Sequence, residues 1–291
     1  MRLGALEAGG TKMVCAVGNE SGEIFERESF PTRDPEATIA DILAFFDGKD
    51  IEALGVSCFG PLDLNEASPS FGSITTTPKL AWQYVPLRAR LQQALRVPVG
   101  IDTDVNGAAL GEVLLGAGKG LQSLVYFTVG TGIGGGYYYQ GKLLHGLVHP
   151  EMGHILLRPH PDDPAPRGFC PFHDGCLEGL ACGLSMERRW GVPGRELPPE
   201  HIAWAIEAEY LAQMCVAAAV MLSPEKIVLG GGVMQQERLL PMVRARTHEM
   251  LNGYVAHPAL VEDIEHYIVA PALGANSGAV GALLLAERSL R

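Results

Sequence analysis

The sequence predicts an α/β protein of two domains with an internally duplicated architecture. Segments 3–17 and 124–139 each contain an apolar strand, a glycine turn and a second apolar strand, so both are predicted hairpins. The two hairpins begin roughly 120 residues apart, a separation that favours duplication of one structural unit. Predicted strands and helices alternate between and after the hairpins, which is typical of α/β folds.

The remaining elements follow from apolar periodicity and from the positions of glycine and proline. Further strands are predicted at 53–64, 97–102, 226–233 and 266–271, and helices at 35–47, 106–115, 201–222, 235–252 and 276–291. The glycine-rich segment 116–120 is the predicted boundary between domains 1–117 and 118–275, with helix 276–291 completing the first domain. Segment 158–175 is rich in Pro, His and Asp and has little periodicity. Something other than an apolar face must therefore hold it.

Composition and charge exclude several classes of protein. With 47% hydrophobic and 19% charged residues, the chain can form a substantial core. A net charge of −11 without clustered Lys and Arg disfavours a nucleic-acid partner. Residues 1–10 lack the long apolar stretch of a secretory signal, and segment 201–222 carries Glu207 and Glu209, which favours a buried helix over a membrane span. The six cysteines then indicate thiols or metal ligands in a reducing cytoplasm.

The glycine loop at the tip of the first hairpin is a candidate phosphate site. Gly9 and Gly10 precede Thr11 and Lys12, so backbone amides, a hydroxyl and an ammonium group can face one anion. An ordinary tight turn would have the same composition, so both interpretations stay open for this segment alone.

Three later glycine clusters extend this pattern. The segment GTGIGG at 130–135, which includes Thr131 and Gly132, has the spacing of a dinucleotide-binding fingerprint. Because the sequence YYYQGK that follows indicates a strand where the fingerprint requires a helix, an NAD-dependent oxidoreductase is the weaker interpretation. Clusters 230–233 and 273–282 could either border a nucleoside or pack a helix against a strand.

A mixed set of cysteines and histidines predicts a metal site. His154, Cys170, His173 and Cys176 form the pattern H-x15-C-x2-H-x2-C, which suits tetrahedral zinc. Four protein ligands leave no open position, so the zinc would be structural and would hold the Pro-rich excursion. Coincidental spacing is the alternative, and Cys182 is a possible substitute for Cys176.

Six motifs in this order resemble the ROK family of bacterial sugar kinases: EAGGTK, SCFGPLD, DTDVNGAA, GTGIGGG, EMGH and CPFHDGCLEG. The resemblance spans essentially the whole chain, and ITTTPKLAW at 74–82 with the CPFH…CLEG form is most similar to the fructokinase branch. It implies the duplicated, ribonuclease H-like fold of actin and hexokinase, with a cleft between the domains. It also implies a homodimer that phosphorylates a hexose with ATP, most simply D-fructose to fructose 6-phosphate. Mannose or glucose as the substrate, or a non-catalytic sugar sensor, are the alternatives.

The resemblance further implies roles for individual residues. Asp104 would be the base that accepts the proton of the sugar hydroxyl, whereas the alternative is that Asp102 or Asp104 only caps a helix. The sugar would be bound by Gly60, Thr103, Asp104, Glu151, His154 and Glu178, of which Glu151 and Glu178 could otherwise be surface charges. The phosphates of ATP, with Mg²⁺, would contact Gly9, Gly10, Thr11, Lys12, Thr131 and Gly132, and the adenosine would contact Gly231, Gly232, Ala275 and Gly278. Glu7 stands where many members of the superfamily have an Asp that positions Mg²⁺.

Overall fold

The computed structural model describes residues 1–291 and contains two five-stranded sheets. The first consists of β1 (Leu3–Ala8), β2 (Lys12–Gly18), β3 (Ile24–Pro31), β4 (Ala53–Cys58) and β5 (Val99–Thr103), in the order β3-β2-β1-β4-β5. The second consists of β6 (Ser123–Val129), β7 (Ile133–Tyr139), β8 (Lys142–Leu143), β9 (Ile227–Gly230) and β10 (Ile268–Val269), in the order β10-β9-β6-β7-β8.

Each sheet contains one predicted hairpin. The first strand of each hairpin also pairs with a strand that comes later in the chain. Strand β1 is antiparallel to β2 and parallel to β4, which in turn is parallel to β5. In the second sheet β6 lies beside β7 and is parallel to β9, which is parallel to β10. The predicted α/β class and both predicted hairpins are confirmed.

Ten helices connect and cover these strands. They are α1 (Pro35–Phe46), α2 (Leu87–Leu95), α3 (Asp104–Leu115), α4 (Leu177–Ala181), α5 (Gly183–Trp190), α6 (Ile202–Leu222), α7 (Leu239–Leu251), α8 (Pro258–Val261), α9 (Ile264–Tyr267) and α10 (Ser277–Arg288). The strand predicted at 53–64 is wrong beyond Cys58, where Pro61 offers no N–H to a ladder. The strand predicted at 266–271 shrinks to Ile268–Val269 because α9 occupies the preceding residues.

The chain forms two compact units. The first comprises Met1–Gly120, Gly136–Pro150 and Ala272–Arg291, and the second comprises Leu121–Gly135 and Glu151–Pro271. In the first unit α10 packs closely on β4 and α3. A Cβ on Gly55 would lie 1.8 Å from the Ala282 carbonyl oxygen, and a Cβ on Gly281 would lie 1.8 Å from that of Gly107. Glycine at these positions therefore lets α10 lie in close contact with β4 and with α3.

The longest helix, α6, belongs to the core of the second unit. It is long and apolar enough to cross a membrane by length and composition, yet 61% of its most apolar stretch is buried inside the protein. It packs against α7, and the side chains of Trp204, Tyr210 and Met214 on it are buried. These contacts are those of a core helix, as predicted from the sequence.

Candidate functional site

The tip of the first hairpin is a closed glycine loop. The Gly9 N–H donates to the Lys12 carbonyl at 3.0 Å. A Cβ on Gly9 would lie 2.7 Å from that same oxygen, so a larger residue would force the loop open. Thr11 and Lys12 are exposed at the tip. Lys79, which lies in the motif at 74–82 but was assigned no role from the sequence, also lies here, because its Cε would be 3.1 Å from a Cβ on Gly10.

Glu7 lies near the end of β1, next to this loop. Burial raises the pKa of its carboxyl, against the lowering effect of the Lys12 and Arg27 charges. Its Oε2 atom is buried without a hydrogen-bond partner. A Cβ on Gly278 would lie 2.8 Å from the Glu7 Cδ, which places the start of α10 against the same carboxyl. An unsatisfied carboxylate oxygen beside the candidate phosphate loop fits a group that holds Mg²⁺ through water.

The junction of β5 and α3 carries the candidate base. Thr103 is the N-cap of α3, and its side chain accepts the Asn106 N–H at 3.2 Å. Asp104 is therefore the first residue of the helix and not its cap, and its Oδ1 accepts the Val105 N–H at 2.9 Å. The neighbouring Asp102 is buried, and its Oδ2 lies 2.9 Å from Nε2 of His145. From the sequence, Asp102 was considered only as a possible helix cap, and His145 was assigned no role.

Gly60 follows β4 in the first unit and lies against an imidazole. A Cβ on Gly60 would lie 3.2 Å from Cε1 of His149. The Nε2 atom of His149 accepts the Leu62 N–H at 3.0 Å, so this histidine fixes the backbone of the turn. The absence of a side chain at Gly60 leaves its backbone open to close approach.

The second glycine loop, in the second unit, is tied to Glu178. The Gly130 N–H donates to the Gly132 carbonyl at 2.9 Å, and the Gly183 N–H donates to the Gly130 carbonyl at 2.7 Å. The Glu178 Oε2 atom accepts the Ile133 N–H at 2.9 Å. A Cβ on Gly132 would lie 2.6 Å from that oxygen. The candidate phosphate loop and a candidate sugar ligand thus lie side by side.

Glu151 and His154 lie at the ends of one short turn, residues Met152–His154 being a 3₁₀ helix. Burial raises the pKa of the Glu151 carboxyl, an effect opposed by His154 and reinforced by the charge of Glu178. The Nε2 atom of His154 lies 3.9 Å from Oε1 of Glu178. The prediction that these three residues could face one ligand is therefore consistent with their contacts.

The four predicted metal ligands come together. The donor atoms of His154, Cys170, His173 and Cys176 all lie within 4.8 Å of one another. Three of the sulfur to nitrogen separations are 3.6, 3.7 and 3.9 Å. Zinc at its usual bond lengths would set a tetrahedral edge of about 3.6 Å between such atoms, so the group fits zinc with little movement. Cys182 is outside the group, because its thiol lies 3.2 Å from the Ser185 hydroxyl.

A buried ion pair holds the other part of the Pro-rich segment. Arg189 Nε lies 2.8 Å from Oδ1 of Asp163, and both side chains are at most 1% exposed. The Tyr210 hydroxyl donates to the other Asp163 oxygen at 2.6 Å. Segment 158–175 is thus anchored to α5 and α6 by charge and hydrogen bonds, in place of an apolar face.

The candidate adenosine residues are divided between the units. Gly231 and Gly232 follow β9 in the second unit, whereas Ala275 and Gly278 belong to the first. Gly231 has a φ of +96°, and a Cβ there would lie 2.4 Å from the Val129 carbonyl oxygen, so this position requires glycine. For Gly232 an added Cβ would meet open space.

Comparison with known proteins gives a consistent picture. The sequence matches the ROK family over residues 3–289. It is 46% identical over 289 residues to a putative fructokinase of Bacillus subtilis (strain 168), covering 99% of this chain and 96% of the relative. It is 42% identical to a fructokinase of Pediococcus pentosaceus, covering 100% of this chain and 99% of the relative. A glucokinase of Halalkalibacterium halodurans is 29% identical over 95% of this chain and 92% of its own.

Solved structures show the same fold. A ROK hexokinase from Thermus thermophilus superposes with a TM-score of 0.78 at 30% identity, covering 100% of this chain and 99% of the other. A ROK family glucokinase from Streptomyces griseus in complex with glucose and AMPPNP superposes with a TM-score of 0.79 at 26% identity, covering 99% of this chain and 100% of the other. The two-sheet α/β architecture is thus the actin- and hexokinase-like fold that was expected.

Proposed function

Because the chain belongs to the ROK family, we propose that it is a fructokinase that transfers the γ-phosphoryl group of ATP to the 6-hydroxyl of D-fructose. The observation that carries this proposal is the full-length similarity to fructokinases, which clearly exceeds the similarity to glucokinases. The hexokinase-like fold and an aspartate at the β5–α3 junction support it. The proposal includes a cytoplasmic location and a homodimer.

Asp104 is the base in this proposal. It accepts the proton of the sugar hydroxyl while that oxygen forms a bond to the γ-phosphorus, and the bond from phosphorus to the leaving oxygen of ADP breaks. The bond from the Val105 N–H holds the Asp104 carboxylate in one orientation. The sugar hydroxyls are bound by Gly60, Thr103, Glu151, His154 and Glu178.

The two glycine loops bind the phosphates of ATP. Gly9, Gly10, Thr11 and Lys12 serve this role in the first unit, and Thr131 and Gly132 serve it in the second. Lys79 adds a cation beside Gly10. When bound, Mg²⁺ neutralises phosphate charge, and Glu7 is the residue that would hold it. The adenosine lies against Gly231, Gly232, Ala275 and Gly278.

The metal in the proposal is structural zinc, held by His154, Cys170, His173 and Cys176. Its contribution is to fix the loop that precedes Glu178 and to orient His154, whose Nε2 stays available to the sugar. The supporting observation is the clustering of the four donor atoms in a mixed set of nitrogen and sulfur ligands.

A panel of hexoses with coupled detection of ADP tests the proposed function. We expect the highest kcat/KM with fructose, and lower values with mannose and glucose. A higher kcat/KM with glucose or mannose would change the proposed substrate but would still show a hexose kinase. Failure to form ADP with any hexose, in a protein that still binds sugar by calorimetry, would favour a sugar sensor instead.

A further inference from the structure

A short loop of the first unit carries two histidines that contact residues next to proposed sugar ligands, one through a backbone N–H and one through a carboxylate. His149 accepts the Leu62 N–H at 3.0 Å, beside Gly60. His145 lies 2.9 Å from Oδ2 of Asp102, one residue before Thr103. The loop itself is tied to β7, since the Leu144 N–H donates to the Tyr137 carbonyl at 2.8 Å. Both imidazoles therefore project from an anchored backbone.

Asp102 is a buried carboxylate that organises the start of α3. Its side chain is 5% exposed. Its Oδ1 accepts the Thr103 N–H at 2.8 Å and the Asn106 side-chain amide at 2.8 Å. Its Oδ2 faces His145. Burying a carboxylate destabilises the fold unless its oxygens accept hydrogen bonds. The start of α3 supplies donors to Oδ1 only, and the imidazole supplies the donor to Oδ2.

We propose that His145 is a positioning residue for phosphoryl transfer: its Nε2–H donates to Asp102, and Asp102 in turn fixes the Thr103–Asp104 turn that carries the base. The inference rests on the proposed function, because it takes Asp104 as the group that accepts the sugar proton. A misplaced base loses much of its effect even when the displacement is about 1 Å. The side chain of His145 is 39% exposed, so it reaches Asp102 from the solvent side.

The pKa values of the two histidines shift in opposite directions. The hydrogen bond to Asp102 raises the pKa of His145, burial opposes it, and the charges of Asp102 and Glu66 add to it. Burial lowers the pKa of His149 and so favours the neutral ring. The Leu62 N–H that Nε2 accepts then leaves the ring proton on Nδ1. Positioning by His145 does not require the charged form, since a neutral imidazole with its proton on Nε2 also donates.

Three variants test this role. His145→Ala removes the donor, His145→Gln keeps an N–H donor close to the Nε2 position, and Leu147→Ala is the matched control, because Leu147 lies in the same loop and is fully exposed. We expect His145→Ala to lower kcat about tenfold or more, with the KM for ATP within about twofold of wild type. His145→Gln should recover most of kcat, and Leu147→Ala should leave it unchanged.

Two results would overturn the inference. One is a His145→Ala variant with the kcat of wild type. The other is a His145→Gln variant as slow as His145→Ala, since that would mean that the rate does not depend on an N–H donor to Asp102. A wild-type protein that phosphorylates no hexose would end the proposed function, whereas an active wild type with an equally active His145→Ala variant would end the inference alone.

A double-mutant cycle covers the case in which His145→Ala fails to fold. Asp102→Asn keeps the shape of the side chain, and it is combined with His145→Leu, which removes the donor but keeps much of the bulk of the side chain. If His145 acts only through Asp102, the double variant should be no slower than the slower single variant. Rate losses that multiply would contradict the inference.

Discussion

The Nε2 atom of His154 lies 3.9 Å from Oε1 of Glu178, while its Nδ1 faces the thiols of Cys170 and Cys176. One imidazole thus joins the group of four metal-type ligands to a carboxylate assigned to the sugar. Any change that releases the proposed zinc should free this ring to rotate. Loss of metal should therefore weaken sugar binding before it affects ATP.

Replacement of an exposed metal ligand tests this link. We expect His173→Ala to reduce bound zinc well below one ion per chain and to raise the KM for fructose about tenfold, with the KM for ATP little changed. Zinc content by elemental analysis and steady-state kinetics measure both effects. Cys182→Ser is the control and should keep its zinc, because that thiol lies against Ser185. Full zinc content in His173→Ala would rule out the assigned ligand set.

Removal of the proposed base should separate chemistry from binding. Asp104→Asn keeps the size of the side chain but cannot accept a proton at neutral pH. We expect kcat to fall at least about a hundredfold, while fructose still binds, as measured by calorimetry. The exposed Asp162→Asn variant should behave as wild type. Turnover retained in Asp104→Asn would mean that another group takes the proton.

The lysine beside the first glycine loop should act on ATP. We expect Lys79→Ala to raise the KM for ATP about tenfold, because one cation beside the phosphates is lost, and to leave the KM for fructose nearly unchanged. Lys119→Ala removes an exposed lysine elsewhere in the same unit and should have no effect. An unchanged KM for ATP and kcat in Lys79→Ala would remove this residue from the proposal.

A buried carboxyl in α6 should make stability depend on pH. Glu207 is 1% exposed, its Oε1 has no hydrogen-bond partner, and burial raises its pKa well above the usual value. Below the pKa of Glu207 in the unfolded chain, about 4.3, the carboxyl is protonated in both the folded and the unfolded state. Its ionisation then has little effect on the free energy of unfolding. As the pH rises from there, the unfolded state ionises first, so the native protein loses stability until the pH passes the folded pKa of Glu207.

Glu207→Gln removes this dependence. We expect the Tm of the variant, minus the Tm of wild type, to increase as the pH rises from 4.5 to 8, measured by thermal unfolding. Glu237→Gln replaces an exposed carboxyl and should show no such trend. A difference that is flat with pH would show that Glu207 is ionised and compensated in the native state.

Local spacing predicted the glycine loops and the group of metal-type ligands, whereas the candidate base, sugar and adenosine residues came from the family resemblance. Contacts between residues far apart in the chain were predicted by neither. The hairpin tips and the Cys170–Cys176 pattern lie within short stretches, so their residue types alone indicated loops and ligands. The contact between Asp102 and His145 joins residues 43 apart, and no periodicity links them. Lys79 and Gly10 meet only because the fold returns the chain to the first hairpin.

The spacing of the cysteines left open whether Cys176 or Cys182 completes the group of metal-type ligands, and the folded structure brings Cys176 into it. Whether Cys176 or Cys182 belongs to the metal group depends on where α4 ends, and Cys182 lies at the start of α5 beside Ser185. The strand β3 was missed because half of its sequence, IFERESFP, is charged or polar and most of it is exposed, as expected of an edge strand.

The central claim is that this protein transfers phosphate from ATP to carbon 6 of fructose. Phosphorus and carbon NMR of a reaction with ATP, Mg²⁺ and labelled fructose measures the position of the new ester directly. The account predicts fructose 6-phosphate, with one ADP formed for each sugar consumed. Phosphate on carbon 1, or ADP formed at the same rate without sugar, would contradict it.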